Sequence, residues 1–144
     1  MSFKTFKTQK NSFKINDTLI RHIISHSYDY SVGKPTDNAF PIKQLSGSGL
    51  SVSIERLLTS QLQPIIIANL AKGNHSYVCD YMANINNIYN ILDDAHSRAF
   101  KLQHTPDIIN PAHAEIKFSS TITNASDPEK RKYRKKLKQI FFKK

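Results

Sequence analysis

GKPTDNAFPIKQLSGSGLSVSI, residues Gly33 to Ile54, holds two of the six prolines, three of the four glycines and four serines. It then resolves into a strand-like run, Leu50-Ser51-Val52-Ser53-Ile54. Proline and glycine at this density are turn and loop signals. The stretch therefore reads as a long ordered loop, anchored through Phe40 and Leu45, that feeds a short paired strand. Loops of that kind present ligand sites on a rigid scaffold.

Upstream, Leu19, Ile20, Ile23 and Ile24 follow a possible cap at Asp17 or Thr18. Their spacing fits a helix, and a strand through Leu19–Ile23 is the rival reading. On a helix, His22 and His26 would lie one turn apart, the i, i+4 spacing of a two-histidine metal face. No acidic third ligand stands at a matching spacing, so no metal site and no cofactor are expected, and the histidines read as hydrogen-bonded or solvated. Residues 1–14 intersperse Lys4, Lys7, Lys10 and Lys14 with Phe3, Phe6 and Phe13, which reads as a basic extended arm.

Downstream, Ile54–Leu62 reads as a helix closed by Pro64, which disfavours helix at the residue before it. Ile65–Leu70 follows as a buried strand. From His75, Val78, Met82, Ile85, Tyr89 and Leu92 form a helical stripe that could run to Phe100, with Cys79 buried on its flank. Residues 102–113, with Pro106 and Pro111, form a loop. Ala114, Ile116 and Phe118 alternate as on a strand, and 119–126 is another loop. Ser126-Asp127-Pro128-Glu129 is a capping box with proline in the first turn. The helix it starts buries Tyr133, Leu137, Ile140 and Phe141. Short strands and about three helices in no strict alternation predict one α+β domain over residues 1–144, with a small mixed sheet and a basic C-terminal helix from residue 127.

At 144 residues and 39% hydrophobic content the chain suits one core. No apolar run approaches the roughly 20 residues of a membrane span. The lysine-rich start lacks a following apolar segment, so a secretory signal is not expected. One cysteine allows no internal disulfide. These features predict a cytoplasmic protein of bacterial or phage origin.

The net charge of +10 is unevenly placed. Residues 127–144 carry nine Lys and Arg against two acids, whereas residues 1–126 carry twelve against nine. Lys130, Arg131, Lys132, Arg134, Lys135, Lys136 and Lys138 crowd one helix, more than solubility requires, because like charges repel. Such a ridge meets phosphates without reading base edges. The first functional expectation is thus binding of nucleic acid or another polyanion, with an acidic protein as the other partner of suitable charge. A solubilising face is the plainer explanation.

Leu19-Ile20-Arg21, Ala39-Phe40, Leu50-Ser51-Val52 and Asn110-Pro111-Ala112-His113-Ala114 occur in this order. Together they resemble a family of short bacterial proteins with an R…aF…LSV…PAHA skeleton and a charged C-terminal helix. The skeleton spans residues 19–140 but leaves 55–101 unaligned, and it implies no particular activity. It does suggest that Arg21, Phe40, Ser51 and His113 share a site.

A second expectation is a small enzyme acting on a nucleotide or nucleic acid, with Arg21, Ser51, His113 and Glu115 as catalytic candidates. An early arginine, Ser51-Val52-Ser53 and the late Glu115 resemble the layout of ADP-ribosyltransferase-like folds. That layout implies a diphosphate-holding arginine, a serine-shaped pocket and an activating glutamate. Histidines 22, 26 and 113 offer acid–base groups for a metal-independent nuclease instead. Structural roles compete for each, since strand serines bond solvent and an arginine beside apolar residues often snorkels. A third expectation is an interaction protein of a bacterial defence or toxin system.

Overall fold

In a computed structural model, which describes residues 13–71 and 73–144, the chain builds eight strands and five helices. The strands are β1 (Thr18–Ile24), β2 (Tyr28–Asp29), β3 (Lys34–Pro35), β4 (Leu50–Ile54), β5 (Tyr77–Asn84), β6 (Phe100–His104), β7 (His113–Phe118) and β8 (Phe142–Lys143). The helices are α1 (Ile42–Ser46), α2 (Leu62–Leu70), α3 (Ile85–Tyr89), α4 (Ser120–Thr123) and α5 (Asp127–Ile140). Six strands form one sheet in the order β6-β7-β4-β1-β5-β8, and β2 pairs with β3. Every pairing is antiparallel, so the sheet is not mixed. The architecture is a single α+β domain. The basic arm expected over residues 1–14 lies outside the described residues except for its last two.

The strand reading holds for Leu19–Ile24, because β1 is covered on both faces. Leu19 and Ile23 join the main core, while Ile20 and His22, on the opposite face, are buried as well. A strand buried on both sides loses its alternation and imitates a helical run. The same ambiguity misplaces 77–84: Val78 and Met82 are four apart, which suits a period of two as well as a helix. The segment is β5, paired with β1 from Thr18↔Asn84 to Ile24↔Tyr77. Helix begins only at Ile85, where the Asn84 side chain accepts from Asn86 N at 2.9 Å.

The expected helix Ile54–Leu62 is a single turn at Glu55–Leu57. The expected strand Ile65–Leu70 is helix α2. Pro64 lies in the first turn of α2, where no backbone N–H is needed, so it opens this helix rather than ending the one before. Residues 119–126 contain the short α4.

The stretch Gly33–Gly49, expected as a loop, contains β3 and the short α1; Phe40 and Leu45 in it are fully buried, and β4 emerges paired with both β1 and β7. Gly49 has φ 102°, and a Cβ there would come within 2.9 Å of Glu115 Cβ, so this turn requires glycine. Ser126 Oγ accepts from Glu129 N to start α5. Tyr133, Leu137 and Phe141 are buried along it, with Ile140 half-buried. Phe141 packs on Phe40 at 5.2 Å between ring centroids, which joins the helix to the loop. The main core thus fills one face of the sheet. The other face is partly roofed by α2, through Leu62 and Ile66 against Ala112.

Candidate functional site

Two places bring chemistry-bearing residues together, one on each side of the sheet. The first is the exposed side of α5. With Tyr133 and Leu137 inward, Arg131, Lys132, Lys135 and Lys136 face solvent, while Lys130, Arg134 and Lys138 flank them half-buried. Some of this charge is already partnered. Lys132 reaches Glu129 at 3.6 Å and Asp94 at 3.9 Å. Arg134 and Lys138 share Asp37, at 3.5 and 3.1 Å. Lys130, Arg131, Lys135 and Lys136 have no ion pair among the described residues. Beside α5 lies a cavity of about 580 Å³, walled by Lys34, Arg134, Lys135 and Lys138 with Asp37 as its carboxylate. Phe40, Tyr81 and Phe141 line it too, giving it an aromatic floor.

The second place is a cavity of about 250 Å³ between β4 and α2. Of the four residues that the resemblance groups, Arg21, Ser51 and His113 line it, whereas Phe40 lines the cavity beside α5. Glu115 does not. It sits on β7 in register with Ser51 and Gln103, outside the lining. As the cross-strand partner of Ser51 it lies on the same face of the sheet, beside the cavity rather than in its lining.

Arg21 occupies a split in the sheet. Pairing between β1 and β4 stops at Ile20↔Ser53. Beyond it, Arg21 Nε donates to the Ala39 carbonyl and Nη1 to the Ser51 carbonyl, each at 2.9 Å. The guanidinium thereby replaces absent ladder bonds and fastens the long loop to the sheet. Both acceptors are neutral, and burial without a neighbouring carboxylate pulls its pKa down to about 10. It stays cationic at neutral pH with no counterion among the described residues.

Strand alternation puts Ser51 and Ser53 on one face of β4, roughly 6.6 Å apart along the strand. Each meets a histidine. Ser51 Oγ lies 3.2 Å from His113 Nε2, and His113 Nδ1 faces the Thr105 carbonyl at 3.1 Å and the Thr105 hydroxyl at 2.8 Å. Ser53 Oγ lies 3.1 Å from His22 Nε2, and His22 Nδ1 donates to Asp80 Oδ1 at 2.7 Å. A carboxylate can only accept, so His22 Nδ1 carries a proton and its Nε2 offers a lone pair to Ser53, whereas the Thr105 hydroxyl beside His113 Nδ1 can donate as well as accept.

Asp80 is 6% exposed and well supplied with donors. Burial raises its pKa, but hydrogen bonds from His22 and Tyr77, with the nearby charges, outweigh this and hold it below the ordinary carboxylate value. Gln63 of α2 adds a bond to Oδ2 at 3.2 Å, tying the roof to the network. Burial and the Asp80 charge push Tyr77 well above the usual phenol range.

Sequence reasoning missed Ser53–His22–Asp80, because it set His22 on a helix with His26. His22 lies on β1, whereas His26 falls in the single turn Ser25–Ser27 after it and packs on the His75 ring at 5.3 Å. The signal was present as period-two alternation, Ile20/His22 against Ser51/Ser53. Asp80 carried no motif at all. Comparison of the chain with protein-family models, curated proteins and solved structures finds no match.

Proposed function

We propose that the protein binds a polyanion, with a nucleic-acid backbone as the ligand of choice, through the outer side of α5 and the cationic cavity at its flank. The observation that carries this reading is convergence rather than charge count. Lys34, from the loop region, and Arg134, Lys135 and Lys138, from the terminal helix, surround one cavity that holds a single carboxylate. Phosphates of one strand fit this arrangement. Cations along the helix are about a turn apart, roughly 5 to 6 Å, and half-buried Tyr81 lines the same cavity, where a splayed base could meet an aromatic side chain. Affinity in such a contact comes mainly from counterion release, so it is steep in salt and poor in sequence discrimination. A small binder of this kind suits a bacterial defence or toxin system in the cytoplasm.

The exposed cations with no ion pair among the described residues make the test. Lys135→Glu with Lys136→Glu should remove retention on single-stranded nucleic acid and lower the slope of log affinity against log salt by at least about 1.4, roughly 0.7 per contact. Lys132 and Lys138 are poorer choices, because their ion pairs with Glu129, Asp94 and Asp37 would be broken as well. Unchanged binding and salt slope in a folded double variant would defeat the reading. Loss of binding to acidic proteins with none to nucleic acid would assign the ridge to a protein partner.

A further inference from the structure

We propose that the cavity beneath α2 is a second, catalytic site: an acyl-transfer centre in which Ser53 is the nucleophile, His22 its base and Asp80 the group that orients and stabilises the histidine. This goes beyond polyanion binding and uses none of the α5 cations. The argument begins from polarity. Asp80 fixes the proton on His22 Nδ1, so Nε2 can take a proton only from Ser53 Oγ, 3.1 Å away. That hydroxyl stands at the floor of a cavity whose rim carries exposed residues, Asn69, Asp107 and Ile109. Nucleophile, base and orienting acid within hydrogen-bond reach of one another are the defining geometry of activated-serine chemistry.

Ser51 and His113, on the same wall, supply an internal control. They form the same serine–histidine contact, but His113 is anchored on the neutral Thr105 hydroxyl and carbonyl rather than on a carboxylate. An imidazolium forming at His113 would gain no opposite charge, whereas at His22 it would form against the Asp80 carboxylate. Electrostatics therefore selects Ser53 although Ser51 is the more exposed.

The step balances without any group beyond water. Ser53 Oγ adds to the carbonyl carbon of an ester as its proton passes to His22 Nε2. The ester C–O bond breaks, and the departing alkoxide takes that proton, leaving an acyl group on Ser53. Water then adds, giving one proton to His22, which passes it to Ser53 Oγ as the acyl–oxygen bond breaks; the carboxylic acid leaves and ionises in solvent.

Substrate class follows from the walls. At about 250 Å³ the space falls below the usual range for larger ligands and admits only a short acyl chain beside Val52, Ile66 and Leu70. Arg21, which makes no ion pair among the described residues, favours an ester that bears a carboxylate or phosphate at its end of the cavity, although Asp107 adds a negative charge at the rim.

The test uses the full chain, a fluorophosphonate probe, and two p-nitrophenyl esters, the glutarate monoester and the neutral valerate. The expected result is one covalent adduct, located by peptide fragmentation on Ser53. Hydrolysis of the glutarate ester should be favoured about tenfold, the worth of one charge-assisted hydrogen bond. Ser53→Ala should abolish both, and Asp80→Asn should lower kcat at least about a hundredfold while circular dichroism stays native. An adduct on Ser51 would overturn the choice of nucleophile. Neither adduct nor hydrolysis by the folded wild-type chain would overturn the site, and the network would then be only a buried framework. Both results are independent of nucleic-acid retention, which Ser53→Ala leaves unchanged.

Discussion

The cations of α5 and the polar network under α2 are opposite ways of building a site. Seven cations stand within nine consecutive residues, and one capped helix presents them. The network draws Ser53, His22, Asp80 and Gln63 from three strands and a helix, with partners up to 58 residues apart. The first is solvated and tolerant, so its members can change with little effect on folding. The second is buried, so each member is held by the others. Local charge is free to serve binding; buried polarity is bound to the fold.

The largest effect should come where the loop closes over the core. Phe40 is fully buried, stacks on Phe141 and adjoins the Ala39 carbonyl that Arg21 grips. Phe40→Ala should cost about 3 to 5 kcal/mol in chemical denaturation. A loss under about 0.5 kcal/mol would mean the ring is exposed and the loop is not part of the scaffold.

Next comes the network itself. Asp80→Ala strands the His22, Gln63 and Tyr77 donors and should cost about 2 to 3 kcal/mol at neutral pH. Acid should reproduce part of that loss. Asp80, and Asp17 with its bidentate Arg56 contacts at 2.8 and 3.0 Å, both have carboxyls held below 3.8. A depressed folded-state pKa means the unfolded chain binds more protons. The stabilisation is therefore complete above about pH 4 and is lost as pH falls through the depressed values. Urea titrations at pH 6, 4 and 3 should show stability falling between the last two more steeply in the wild type than in Asp80→Ala. Equal slopes would separate the network from acid sensitivity.

Lys135→Glu with Lys136→Glu should change stability by less than about 0.5 kcal/mol, as expected for solvated side chains. A larger loss would show that the ridge, like the network, belongs to the scaffold.

Legibility in the sequence follows the same division. The capping box at Ser126, the stripe of Tyr133, Leu137 and Phe141, the anchors Phe40 and Leu45 and the alternation through Phe118 were readable because each is local. The reading failed at 54–92, where pattern alone is degenerate: Pro64 suits both ends of a helix, and Val78 with Met82 suits two periods. Arg21, Ser51 and His113 could be grouped only by resemblance, and the fold does line one cavity with them. Asp80 was invisible, since only the β1–β5 register sets it opposite His22. Cys79, expected on a helix flank, is half-buried on β5. Burial raises its thiol pKa, Lys143 opposes this and Asp80 adds to it, so the thiol should react slowly with maleimide in the native protein.

The smallest effect tests whether α5 reads shape or only charge. Arg131 is exposed, makes no ion pair among the described residues and lies outside the lining of the cationic cavity. A guanidinium surpasses an ammonium where it clamps an oxyanion with two bonds or stacks on a ring. No ion pair or ring among the described residues holds Arg131 in such a pose, and an exposed side chain contributes chiefly its single positive charge. Arg131→Lys should therefore leave nucleic-acid affinity within about twofold and the salt slope unchanged. A tenfold loss, about 1.4 kcal/mol, would require two aligned bonds to one phosphate or a stacked base. The ridge would then carry recognition geometry of its own, and its contrast with the buried network would narrow to one of location.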